Sequence, residues 1–246
     1  MAGLRELRSI TDVRGAAGGD ALMLWAAADL AHGRRAFSFG GATAVAAPAL
    51  SCRDRLAVTG PVGDAAALVR AVLPQVGPTF RPIGDETLIR DLVTRVPELA
   101  FVDAFGWMQT ETTTGRRGAA AWLTASDGAD ITALLDEAFP DAYARPGRPG
   151  TRRWAGARDA SGALLACAAD AWSAPDVGFL AGVATAEQAR GRGVGTAVCG
   201  FVLDSLVADH GTAALIADSW NTTAVRLYRG LGLSWRPIAA ARVMDR

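Results

Sequence analysis

Short apolar runs alternate with stretches of helical spacing over almost the whole chain. In the first half, residues 21–31 read as a short helix. Residues 36–50 are small and β-like, interrupted by Gly40-Gly41, and residues 56–59 form a short strand. After a Gly60-Pro61 breaker, residues 64–76 place Ala67, Leu68, Ala71 and Val72 at helical intervals. A brief strand at 79–83 follows. A helix at 86–96 has Leu88, Ile89, Leu92 and Val93 on one face, and a strand spans 99–108.

The polar, charged stretch 110–118 (TETTTGRRG) is the best linker, and it divides the chain into domains at 1–114 and 115–246. The second half restarts with a strand at 119–124 and a helix at 129–139. A Pro/Gly/Arg-rich passage at 140–153 has room for a short helix. Strands at 154–158 and 163–172 flank a turn at Asp159–Gly162, and a strand at 177–185 runs into a glycine-rich turn. Beyond the turn, Val194, Val198, Phe201, Val202 and Leu206 repeat at helical spacing up to His210, and Gly211 closes that helix. A strand at 213–219, a helix at 221–231 ended by Gly232, and one or two strands at 233–244 complete the pattern. Strand, helix, strand, helix, strand occurs at 56–108 and again at 177–244, which suggests a degenerate duplication.

Composition narrows the chemistry. The chain has 246 residues, half of them apolar, and a formal net charge of zero, so neither nucleic acid nor an anionic membrane is an expected partner. All 25 basic residues are arginine. Without lysine there is no Walker A loop and no Schiff base on a protein lysine. Cys52, Cys167 and Cys199 are far apart and lack metal spacing, so reduced thiols, no metal site and a cytoplasmic location are expected. The first twenty residues show no signal-peptide pattern, and no uncharged apolar run reaches about 18 residues.

The turn Arg190-Gly191-Arg192-Gly193-Val194-Gly195-Thr196 is the strongest chemical signal. A glycine-rich turn between strand and helix suits a phosphate. The helix start offers unpaired N–H groups and a positive dipole end, and glycines let the backbone approach the anion. The dinucleotide fingerprint G-x-G-x-x-G fails at its third glycine, because Thr196 or Val198 stands there. Asn221, the only asparagine, directly precedes a helix, where a plain cap contributes about 1 kcal/mol. Tyr228 lies about two turns further on the same helical face.

As a set, Arg190-x-x-Gly193-x-Gly195 and Asn221-x-x-Ala-x-x-Leu-Tyr228-x-x-x-Gly232 resemble the GNAT acyltransferase superfamily. The resemblance covers about 119–244. It implies an α/β (α+β) fold: a mixed, mostly antiparallel sheet flanked by helices and splayed before the glycine-rich turn. The first domain would be a smaller, GNAT-like α/β unit without a cofactor site. Acetyl-CoA is then the implied co-substrate. The backbone of Val183, Ala184 and Thr185 would carry its pantetheine arm, with Val183 N–H as oxyanion donor. The amides of Arg190, Gly191, Arg192, Gly193, Val194, Gly195 and Thr196 would hold its pyrophosphate. Asn221 would touch the cofactor, and Tyr228 would protonate the departing thiolate.

The general base is not evident, because the strand before the turn carries no carboxylate. Asp176 is taken as the base, with Asp170, Glu187, a water chain or a low-pKa amine as alternatives. The implied activity is acetyl transfer to an amine of a small molecule or peptide. A non-catalytic acetyl-CoA sensor and a longer-chain acyl donor are the other readings. The acceptor is expected near 140–153 and Trp107, where Arg152 and Arg153 could favour an acidic group or simply be solvated. A monomer and a homodimer both fit the sequence.

Overall fold

The computed structural model describes residues 3–30, 33–115 and 118–244; Ala31 of the expected first helix and Arg116-Arg117 of the expected linker lie outside them. The chain runs β1 (Arg5–Leu7), α1 (Ile10–Ala16), α2 (Ala21–Ala26), β2 (Arg35–Phe39), β3 (Ala42–Leu50), β4 (Arg53–Thr59), α3 (Val62–Val76), β5 (Arg81–Asp85), α4 (Glu86–Arg95) and β6 (Leu99–Thr110). It continues with β7 (Ala121–Trp122), α5 (Gly128–Ala138), β8 (Thr151–Arg158), β9 (Leu164–Ala171), β10 (Gly178–Thr185), α6 (Val194–His210), β11 (Ala213–Asp218), α7 (Thr222–Gly230) and β12 (Ser234–Val243).

These elements form two compact units. The first gathers Met1–Trp107, Ile216–Asn221 and Trp235–Arg246; the second gathers Met108–Leu215 and Thr222–Ser234. Strand order is β1-β2-β3-β4-β5-β12-β6 in the first and β11-β10-β9-β8-β7 in the second. Pairing is mostly antiparallel, with one parallel pair in each: β4 with β5, and β10 with β11. The two halves of the chain run through one succession: an antiparallel meander, a helix, a parallel strand, a second helix and a last strand, the last strand of the second half (β12) lying in the first unit. This is the mixed α/β fold expected from the sequence.

Local chemistry sets the element ends. Ser9 and Asp12 form a reciprocal capping box at the start of α1. That helix was missed in the sequence because only Val13 on it is buried. Asp20 caps α2 through Leu22 N–H at 2.8 Å and also takes Arg236 at 2.6 Å. The α2 helix stops at Ala26, well before residue 31, where the Arg34 guanidinium donates to the carbonyls of Trp25 and Ala26. The strand expected at 119–124 shrinks to two residues, and the short helix allowed for in 140–153 is absent among the described residues.

The first unit's core packs α3 and α4 on the sheet through Leu68, Val69, Val72, Ile89 and Leu92, all fully buried. Trp107, expected near an acceptor, is instead fully buried against Trp25, with ring centroids 5.6 Å apart. In this unit β4 and β5 stay joined, with Arg55, Leu56 and Ala57 opposite Arg81, Pro82 and Ile83. At the next position a Cβ on Gly84 would stand 2.4 Å from the Val58 carbonyl oxygen. Backbone cannot yield as a side chain can. Gly84→Ala is therefore expected to lower unfolding stability by about 1–3 kcal/mol in urea titration; an unchanged midpoint would contradict this packing.

Candidate functional site

The second unit is organised around a fork. β10 pairs with β11 only through Gly178–Ala213 and Phe179–Ala214. On its other edge β10 stays paired with β9 as far as Thr185, but the register shifts between Ala181 and Ala184. Gly182 sits in that bulge with φ +60°, and a Cβ there would lie 2.6 Å from the Trp154 ring. Glycine is required on both counts. Beyond the bulge, Ala186 N–H donates to Leu165 of the β9 edge at 2.8 Å. Strand alternation then turns the backbone groups of Val183 and Thr185 to the opposite edge, where β11 no longer pairs. Ala184 is buried beneath them.

A 3₁₀ turn at Glu187–Ala189 leads into the glycine-rich turn. Arg190 Nε donates to the Thr185 carbonyl at 3.3 Å. Gly191 and Gly193 have φ of +73° and +78°, and no atom lies within 4 Å of where their Cβ atoms would be. Space above the turn is open. Gly195 differs: its Cβ would meet the Thr185 hydroxyl at 2.5 Å, so a glycine here lets α6 start directly against β10. The first helical bond of α6 is Ala197 N–H to the Gly193 carbonyl, 2.9 Å. The N–H groups of Val194, Gly195 and Thr196 precede it and are not used inside the helix. Arg190 and Arg192 are exposed beside them.

A polar network holds the paired end of the fork. Asp170, 2 % exposed, accepts from Ser173 Oγ at 2.5 Å and from Arg153 Nε at 3.1 Å. Ser173 Oγ accepts from Phe179 N–H at 2.8 Å, at the last residue of β10 that pairs with β11. Arg153 also bridges to Asp209 and stacks over Trp122 at 4.0 Å. Both Asp170 oxygens and the Arg153 guanidinium are thus engaged in positioning, which leaves neither free as base or acceptor contact.

Asp176 is half-buried in the loop before β10, and Glu187 is exposed in the 3₁₀ turn. Asp176 lies in the turn before β10, at the opposite end of that strand from Thr185 and the glycine-rich turn. The structure does not bring it to the turn.

Asn221 immediately precedes α7, and its N–H donates to the Asp218 carbonyl at 3.1 Å. Tyr228 lies within α7 and is 7 % exposed. Its hydroxyl is held by no hydrogen bond among the described residues. Burial pushes its pKa well above 10, and the neighbouring Cys199 adds to the effect. Burial likewise pushes the thiols of Cys167 and Cys199 up to about 12. The Cys167 thiol points to the Gly182 carbonyl at 3.8 Å, directly under the bulge.

Sequence reasoning missed the bulge at Gly182 and the Asp170–Ser173–Phe179 link. A glycine inside an apolar strand was the one available signal for the bulge. It also missed Asp218 at the end of β11, whose carboxyl is held above the usual 3.8 by burial and by Asp103. Among the described residues no helix is long and apolar enough to cross a membrane.

Residues 121–233 match the sequence model of the acetyltransferase (GNAT) family. Among solved structures, a GCN5-related N-acetyltransferase from Kribbella flavida is similar at 18 % identity and a TM-score of 0.61, over 90 % of this chain and 95 % of that one. One from Sphaerobacter thermophilus shows 18 % identity and 0.58, over 97 % and 95 %. A tandem GNAT protein from the clavulanic acid biosynthesis pathway shows 11 % identity and 0.54, over 98 % and 97 %. At these identities the likeness speaks for the fold. No curated protein matches by sequence.

The buried thiols give a direct check on this interior. Cys52 is exposed, whereas Cys167 and Cys199 are buried. Reaction with a thiol-disulfide reagent at pH 8 is expected to modify one cysteine in the folded protein and all three in denaturant, because only a thiolate attacks. Rapid native reaction of Cys167 or Cys199 would contradict their placement.

Proposed function

We propose, from the match of residues 121–233 to the acetyltransferase (GNAT) family model, that the protein transfers an acetyl group from acetyl-CoA to an amine of a small molecule or peptide. The observation that carries the reading is the fork: a strand edge at Val183 and Thr185 that no strand pairs, leading into an open turn whose helix start leaves the N–H groups of Val194, Gly195 and Thr196 unused inside the helix. An extended pantetheine arm, itself built of amides, suits the edge of a strand. The pyrophosphate suits the N–H groups of Val194, Gly195 and Thr196, with Arg190 and Arg192 adding charge; the backbone N–H groups of those two arginines already donate to the Glu187 and Ala189 carbonyls. Asn221 contacts the bound cofactor near the start of α7.

In this scheme the amine attacks the thioester carbonyl directly. Val183 N–H donates to the developing oxyanion, a contact that strengthens as charge forms. Tyr228 remains protonated at neutral pH because burial raises its pKa. A phenol of that pKa is a weaker acid than a thiol of about 8.5. Its first contribution is therefore a hydrogen bond to the departing sulfur, with the proton following as the thiolate leaves. Asp176 can serve as base only through water, given its place beyond the far end of β10. Proton loss from the amine through solvent fits the exposed turn equally well. Residues 1–114 form the companion domain in this reading, and the cofactor is assigned to the second half, where the glycine-rich turn lies.

Calorimetric titration with acetyl-CoA tests the reading. One site per chain at micromolar affinity is expected. Gly193→Asp is expected to abolish binding, since any side chain at φ +78° strains the turn and the added charge repels phosphate. No binding by the wild type would sink the proposal. Tyr228→Phe is expected to lower kcat by about 10²-fold or more with little change in cofactor affinity. Binding without turnover over a panel of amines would instead identify a sensor. Stronger binding of octanoyl-CoA would move the donor to longer chains.

A further inference from the structure

The first unit contains a cavity of about 380 Å³ near the β2–β3 turn, where Arg5, Ala16, Ser38, Gly40, Gly41 and Thr43 contribute to its walls. We propose that it is a second binding site, for a small molecule presenting a carboxylate or phosphate group. Nothing in the proposed acyl transfer uses these residues.

Strand register supplies the first support. Arg5 stands opposite Ser38 across β1 and β2, and Ser38 stands opposite Thr43 across β2 and β3. Directly opposed residues project from the same face, with Cβ atoms about 5 Å apart. A guanidinium and two hydroxyls therefore form one row along a cavity wall. These are the donors an oxyanion takes.

Partner accounting supplies the second. Thr43 is 1 % exposed, and its hydroxyl makes no side-chain hydrogen bond to another described residue. Ser38 likewise makes no side-chain hydrogen bond there, and Arg5 makes no ion pair. Asp12 acts on Arg5 only from a distance, its own carboxyl being held by Ser9 and Arg8. A hydroxyl at the cavity wall can donate to, or accept from, a ligand oxygen held there. The rim is fixed: the Gly41 N–H donates to Asp64 at 2.8 Å, and a Cβ on Gly40 would collide with the same carboxylate. The turn amide is therefore occupied, and the row of side chains does the binding.

Residue-resolved NMR titration of the full chain tests this, with inorganic phosphate in one arm and glutarate in the other. At least one probe is expected to shift the amides of residues 38–43 saturably at millimolar concentration, and the arm that does so identifies the group. Arg5→Gln is expected to weaken that binding about tenfold, through loss of a charge-assisted hydrogen bond. Thr43→Val, nearly isosteric, is expected to weaken it while preserving the spectrum of the fold. Shifts confined to residues 190–196 would overturn the proposal, as would shifts at 38–43 that neither variant changes, or none from either probe.

Discussion

Two strands that begin paired and then part govern the second unit. β10 and β11 share two register pairs, and after Phe179 they separate. The cause is local. Gly182 adopts φ +60° against the Trp154 ring, the register with β9 slips between Ala181 and Ala184, and the strand bends. A sheet normally pairs every backbone group it buries. Here the edge at Val183 and Thr185 is left for something other than a strand. The helix after it starts with unused N–H groups beside two arginines, so a polar edge and an anion-binding end follow one another along a single segment.

The fork needs a fixed origin, and buried polar contacts provide it. Ser173 ties Asp170 to the N–H of Phe179, and Arg153 ties Asp170 to α6 through Asp209. Each member is satisfied, which is the condition under which a buried network specifies geometry. The first half of the chain runs through the same succession of elements, with β4 and β5 paired from Arg55 and Arg81 to Ala57 and Ile83. There Gly84 lies against the Val58 carbonyl and Gly60 packs on the Gly41 carbonyl, whereas Gly191 and Gly193 face open space.

Much of this was legible in the residues. Arg190 to Thr196 announced a turn and a helix start because glycine spacing and the apolar period from Val194 to His210 are both local signals. The β-like stretch at 36–50 and its interruption at Gly40-Gly41 were visible, and the interruption is the turn between β2 and β3. What stayed hidden depends on tertiary partners. Nothing in residues 234–243 says that they pair with β5 at Ala239 and Gly84. The end of α2 depends on Arg34 folding back, and the burial of Trp107 depends on Trp25, far away in sequence. Asp170 looked like any other acid on a strand until its partners were known. A single glycine within an apolar strand could not reveal which neighbour its ring contact would be.

The account turns on whether the edge at Val183 and Thr185 becomes hydrogen-bonded by the acyl donor. Amide hydrogen exchange of the full chain, with and without saturating acetyl-CoA, reads this at those residues. Slowed exchange at Val183, Thr185 and the amides from Val194 to Thr196 is the predicted result. Binding that leaves Val183 and Thr185 exchanging at their free rate would contradict the account, because the donor would then lie elsewhere than in the fork.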